Sequence, residues 1–142
     1  MPNRIYPPAK AAFLRGEINL VTDTIRVQLI DTGAYVYSDA HEFLAAVPAA
    51  ARVGNPATLT NKAVSANGGA GVFDADDTLL TAVPDMSGTA DQSEALLIYK
   101  DTGDPATSRL IQLLEDGQGL PVTTNGGNVA ITWDATGILR LA

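Results

Sequence analysis

The sequence predicts an all-β domain, an antiparallel β-sandwich of jelly-roll-like topology with one or two short helices near its N-terminus. Three observations lead there. From about residue 59 onward, short apolar runs recur between clusters of Gly, Asn, Asp and Pro, the residues that turn a chain. Before that, Ile25-Arg26-Val27-Gln28-Leu29 alternates with period two, which sets one side of a strand against a core. Finally, 142 residues with 46% apolar content suffice for one packed domain, residues 1–142. No internal repeat or linker divides the chain.

The elements follow in order. Residues 1–8 read as an extended arm. Tyr6, flanked by Pro7 and Pro8, is expected to find little cover in its own chain and to meet a neighbouring subunit. The two prolines also suit a helix start, which Lys10 to Arg15 continue and Gly16 stops. Ile18-Asn19-Leu20 and Thr24–Leu29 then alternate as strands, and Asp31-Thr32-Gly33 supplies a turn before a brief strand at Tyr35-Val36-Tyr37. A second helix is expected from Ser38, a good N-cap, with Asp39 and Glu42 near its positive end. Phe43, Leu44 and Val47 give that helix its apolar side, and Pro48 cannot lie deep within it.

Strands are predicted at Thr58–Val64, Gly71–Phe73, Thr78–Val83, Glu94–Asp101, Arg109–Glu115, Val129–Asp134 and Ile138–Leu141. Between them lie Asn67-Gly68-Gly69, Pro84-Asp85, Asp101 to Pro105, Gly117-Gln118-Gly119 and Asn125 to Asn128, all rich in turn residues. Glu94–Lys100 and Arg109–Leu114 are more continuously apolar than the rest, as in central strands covered on both faces or strands facing a neighbouring molecule. A helical reading of Ser108–Asp116 competes, because Leu, Gln and Glu favour helices. The flanking glycines and β-rich surroundings favour the strand.

Composition narrows function more by exclusion than by assignment. Nine Lys+Arg against sixteen Asp+Glu give a net charge of −7, and the scattered cations do not form a phosphate-binding face, so no nucleic acid is expected as partner. The absence of Cys excludes disulfides, thiolate catalysis and cysteine-ligated metals. Residues 1–8 lack the apolar stretch of a secretory signal, and the longest apolar run, Phe43 to Ala51, is too short to span a bilayer, so no membrane partner is expected.

The catalytic candidates are weak. His41 is the only histidine, and Ser38 and Asp39 beside it read better as helix-start residues than as a triad, with no Gly-x-Ser-x-Gly turn in the chain. Asp74-Ala75-Asp76-Asp77 offers oxygen ligands of the kind Ca²⁺ takes, but Leu79 and Asp85 stand where an EF-hand needs Gly and Glu. A solvated turn is the favoured reading. Gly68-Gly69-Ala70-Gly71 fits neither phosphate-loop pattern, and pairings such as Asp76 with Glu94 or Asp116 carry little information among sixteen acids. Trp133 and Tyr99 read as core or interface anchors. No catalytic residue, metal or cofactor is therefore expected, and the chain reads as non-enzymatic.

Several phrases, taken in order, resemble a known family. Lys10-Ala-Ala-Phe-Leu-Arg-Gly16 leads into Ile18-Asn-Leu20 and Asp23-Thr-Ile-Arg-Val27; then come His41-Glu-Phe-Leu44, Gly71-Val-Phe-Asp-Ala-Asp-Asp77, Leu97-Ile-Tyr-Lys-Asp-Thr-Gly103 and Gly119-Leu-Pro-Val122 before Asn125-Gly-Gly127. This order resembles small virion structural proteins of tailed bacteriophages, of the head decoration or cement type, over nearly the whole chain. The resemblance implies a protein made in the host cytoplasm and carried on the outer surface of the capsid. Its partners would be the major capsid protein and further copies of itself, as a trimer or dimer. A tail, neck or fibre-associated protein is the alternative, and a small cell-wall hydrolase a second one. The contact residues expected on this reading are Tyr6, Pro7 and Pro8 in the arm, Asn67, Gly68 and Gly69 in one turn, and Asp101, Thr102 and Gly103 in another.

Overall fold

The computed structural model describes residues 4–84, 95–115, 126–133 and 136–141. Its elements are β1 (Arg4–Ile5), α1 (Pro7–Leu14), β2 (Ile25–Ile30), β3 (Arg52–Thr58), β4 (Ala63–Asn67), β5 (Ala70–Asp74), β6 (Thr78–Leu80), β7 (Ala95–Lys100), β8 (Arg109–Leu114), β9 (Val129–Ile131) and β10 (Leu139–Leu141). They form a five-stranded sheet ordered β1-β8-β7-β2-β3, a three-stranded sheet ordered β10-β5-β4, and the pair β6-β9. Every pairing is antiparallel. The protein is mainly β, as its sequence predicts.

The pairings are nested: β1 with β8, β2 with β7, and the β4–β5 hairpin at the turning point, while β3 packs beside β6. The chain thus folds back along itself. Here β2–β3 and β7–β8 each stay side by side in the one large sheet.

The register explains why β2, β7 and β8 read as apolar runs. Val27 lies opposite Ile98 and Leu29 opposite Leu96 on one face; Gln28 lies opposite Leu97 and Ile30 opposite Ala95 on the other. All eight side chains are buried, so these strands are covered on both faces. The core runs without a break from α1 through this sheet to Phe73 and Leu139 of the smaller one. Trp133 is buried in it, its indole N–H donating to Thr78 Oγ1 at 3.2 Å, as expected of an anchor.

One polar side chain in that core has a structural cause. Between Val27 and Leu29 the pairing with β3 skips from Ala57 to Val53, a bulge whose Gly54 has φ +70°. Carbonyls displaced from the ladder need other donors. Gln28 Nε2 supplies them, reaching Val53 O at 2.8 Å and Gly54 O at 3.0 Å.

Helix α1 starts as predicted at Pro7 and Pro8, where missing N–H groups go unneeded, and the Tyr6 carbonyl accepts from Ala9 and Lys10. It stops at Gly16, whose φ of +75° lets Gly16 N–H reach Phe13 O and Glu17 N–H reach Ala12 O, a Schellman ending. Ala9 and Ala12 are buried, and the helix packs on β8.

Several expectations are corrected. The second helix is absent; residues 38–51 carry only 3₁₀ turns at Leu44–Ala46 and Ala49–Ala51. Tertiary bonds take the place of helical ones: Leu44 N–H donates to Ser108 O, Ala45 N–H to Pro105 O, and Leu110 N–H to Glu42 O. Phe43 is extended and bridges Arg109, and Ser38 Oγ caps only Ala40 N–H. Ile18 and Leu20 are buried as their alternation implies, yet they sit in a turn. Asn19 Oδ1 accepts there from Val21 and Thr22, and Asp23 Oδ2 accepts from Asn19.

Tyr35–Tyr37 is not a strand. The strand expected at Thr58–Val64 is split in two by Asn61 at φ +51°, with β3 beginning at Arg52 instead. Thr78–Val83 shortens to Thr78–Leu80, with Ala82 at φ +50° beyond it. The strand reading of Arg109–Leu114 holds over the helical one. Asp85, Glu94, Asp116, Gly117-Gln118-Gly119, the Gly119–Val122 phrase, Asn125 and Asp134 lie outside the described residues, as do residues 1–3 of the arm.

Candidate functional site

A cluster of aromatic and polar side chains gathers where β1, the start of α1 and the 35–41 segment meet. Pairing of β1 with β8, continued by Tyr6 N–H to Ile111 O, directs Tyr6 inward. Its hydroxyl shares a 2.8 Å hydrogen bond with the Tyr35 hydroxyl, which shares another of 2.8 Å with His41 Nδ1. Tyr37 packs on the Tyr6 ring with centroids 4.8 Å apart, and the Arg4 guanidinium lies 4.2 Å over Tyr37 and 3.6 Å from Glu115. Two shallow cavities flank this cation–π pair: one of about 430 Å³ lined by Pro7, Lys10 and Asp39, the other of about 400 Å³ lined by Thr32, Val36 and Glu115.

The phenols are tuned toward their neutral forms. Burial, reinforced by the Tyr35 hydrogen bond, pushes Tyr6 far above the usual phenol range, and burial also raises Tyr35. Tyr37 is pushed up to about 12, first by burial and then by its hydrogen bond to Asp39. Tyr6 is fully buried and Tyr35 nearly so. General acid–base work needs a group within reach of a substrate. Here Nδ1 of His41 is engaged by Tyr35, and the Tyr6 hydroxyl is sealed inside. The chain of hydroxyls and imidazole fastens the start of α1 to the 35–41 segment.

Tyr6 therefore departs from expectation. Its own chain covers it entirely, because β1 and α1 fold the arm back onto β8. Pro7 is exposed and Pro8 half-buried on the first turn of α1. Asn67, Gly68 and Gly69 are exposed at the β4–β5 hairpin, whose glycines have φ of +59° and +80°. The Asp101–Ser108 loop is internally built: Asp101 Oδ1 accepts from Gly103 N–H at 3.0 Å, Asp101 Oδ2 pairs with Arg26 at 3.0 Å, and Thr102 N–H donates to Ser108 Oγ. No hydrogen bond or ion pair among the described residues joins these three groups, which stand on separate elements.

The acidic run is dispersed in the same way. Asp74 accepts from Ala75 N–H, Asp76 from the Asn61 amide, and Asp77 Oδ1 from Trp133 N–H at 3.0 Å. Among the described residues no three His, Asp or Glu side chains come together as a metal site.

Sequence reasoning missed a surface groove. Phe13, Ile18, Leu20 and Val21 on the α1 side face Val64 of β4 and Leu141 of β10 across a space of about 410 Å³. Val64 is 54% exposed and Val21 45%. The available signal was Val21 directly after the buried Leu20, an apolar residue on the outer side of a turn. No family model and no curated protein matches the chain. Among the described residues no helix is long and apolar enough to cross a membrane.

Proposed function

We propose that the chain is a non-enzymatic virion structural protein of a tailed phage, a head decoration protein that bridges major capsid protein subunits from outside the shell. The observation that carries this reading is the open apolar groove between α1 and the β4–β10 sheet, with Val21, Val64 and Leu141 left exposed in a chain that already has a continuous core. Exposed apolar side chains that line one continuous groove, unlike single scattered ones, mark contact with another macromolecule. The resemblance of the ordered sequence phrases to those of phage virion proteins motivates the same reading. So does the use of the sole histidine and the buried phenols in an internal fastening.

A cement protein acts by burying surface across capsomer boundaries, and repetition over a symmetric shell multiplies modest individual contacts. The net charge of −7 would keep such a protein off the packaged DNA. The test is electron microscopy of particles made with and without the gene product. The expected result is added density on the head exterior in hundreds of copies, lost when Val21→Asp and Val64→Asp are combined. A handful of copies confined to the tail, or absence from particles, refutes the proposal.

A further inference from the structure

We infer that β4 is a self-association edge, pairing antiparallel with β4 of a second copy about a two-fold axis through Ser65 and joining two three-stranded sheets into one. The edge is open: all five residues, Ala63–Asn67, are exposed, and among the described residues β4 pairs with β5 alone. It also lacks the usual protection of an edge strand, having no charge, no proline and no bulge. The other edges of the described sheets differ. β3 carries a bulge and Pro56, β1 has two residues, and β6, β9 and β10 have three each.

Backbone geometry fixes the register. The two-residue turn Gly68-Gly69 makes Asn67 and Ala70 a hydrogen-bonded pair, so Ser65–Val72 and Ala63–Asp74 are hydrogen-bonded pairs too. Ile138 N–H donates to Phe73 O, which confirms that Phe73, opposite Val64, turns its backbone groups toward β10. Val64 and Ala66 therefore direct their N–H and C=O groups to the free edge. Only a register centred on Ser65 pairs Val64 of each copy with Ala66 of the other and uses all of these groups.

Side chains agree with that register. Val64 and Ala66 share a face with Leu141, so the two-fold makes their apolar strips continuous. On the opposite face Arg140 reaches the Asn67–Gly68 end, its Nη2 3.4 Å from Asn67 O, while Asp74 lies at the Ala63 end. The two-fold sets Asn67 beside Ala63 of the second copy and so turns Arg140 of each copy toward Asp74 of the other. This charge complementarity favours a second copy over an unrelated strand.

The test uses the full chain, which contains no cysteine. Ser65 and its symmetry mate form a non-hydrogen-bonded pair with Cα atoms about 4.5 Å apart, within disulfide range. Ser65→Cys is expected to give a disulfide-linked dimer under mild oxidation. Ala63→Cys, whose mates lie on opposite sides of the axis, should remain uncrosslinked. Ala66→Pro removes an outward N–H and leaves the β5 ladder intact, so it should abolish both the Ser65→Cys crosslink and the wild-type dimer seen by sedimentation equilibrium, with an unchanged circular dichroism spectrum. Failure of Ser65→Cys to crosslink, equal crosslinking by Ala63→Cys, or an Ala66→Pro dimer as abundant as wild type overturns the inference. If Ala66→Pro does not fold, the contrast between the two cysteine variants decides. The result is independent of where the protein sits on a particle.

Discussion

Replacing Gln28 by Leu tests whether the bulge in β3 depends on a side chain from β2. Gln28 is buried, and both protons of its amide nitrogen serve carbonyls of the bulge, at 2.8 and 3.0 Å. Leucine keeps much of the volume but donates nothing. Two lost hydrogen bonds of roughly 0.5–1.5 kcal/mol each give a loss of about 2 kcal/mol, before any penalty for a carbonyl left buried without a donor. Unfolding entropy of about 2.1 cal/mol/K per residue turns that into a fall in Tm of about 7 °C for a chain of this length.

Differential scanning calorimetry at neutral pH measures it directly. Gln28→Glu should melt lower still, since a carboxylate presents only acceptors to two carbonyls. A Leu variant within about 2 °C of the parent would show that water or a backbone shift satisfies the bulge, and that the amide is not what holds it.

Other outcomes follow from the same structure. Tyr35→Phe should destabilise more than Tyr6→Phe, because the first leaves the Tyr6 hydroxyl buried without its partner whereas the second removes that hydroxyl altogether; equal melting temperatures would contradict the hydrogen-bond chain. Gly137→Ala should cost several kcal/mol, on the order of a severe core defect, since a Cβ there would lie 2.4 Å from Val72 Cγ1 at a φ of +102°; urea denaturation gives the value. Gln112→Leu should leave Tm unchanged or raise it, because Oε1 is buried without a partner among the described residues, and a marked fall would reveal an unseen donor. Stability should hold up to about pH 10, where unfolded tyrosines begin to ionise, and fall between there and about pH 12 as the unfolded state alone releases the Tyr37 proton. In this phenol case the folded value is raised, so the neutral form is the one favoured by folding. Flat unfolding midpoints across that window would refute the raised phenols.

The strands that carry most of the core were legible because burial on both faces leaves its mark directly in the residues. In Ala95–Lys100 and Arg109–Leu114 the charged residues stand at the ends and Gln112 is the one interior amide, and such segments have few places to go but the centre of a sheet. Gly16 and the Gly68-Gly69 turn were legible for a different reason: each needs a positive φ that glycine supplies at no steric cost. What sequence could not reveal was competition at long range. Ser38 to Val47 has the composition of a helix, yet Leu44, Ala45 and Glu42 find backbone partners more than fifty residues away, beside β8. Those bonds outweigh a few tenths of a kcal/mol of local preference per residue.

The same distinction accounts for the candidate site. Tyr6 was expected to be bare because prolines flank it, and prolines do prevent local pairing on one side. Burial of a residue in such an arm is decided by what the following helix does, and α1 packs against β8 with Tyr6 fully buried. Once the phenol is inside, its hydroxyl must find a partner, and Tyr35 with His41 provides one. The lone histidine and two of the tyrosines thus form one internal hydrogen-bonded chain, with Tyr37 packed on the Tyr6 ring. The exposed Val21, Val64 and Leu141 have no such explanation within the chain, since nothing in its own core requires them at the surface. Substitutions at the groove and the β4 edge should therefore change association while leaving the melting temperature of the chain nearly as it was.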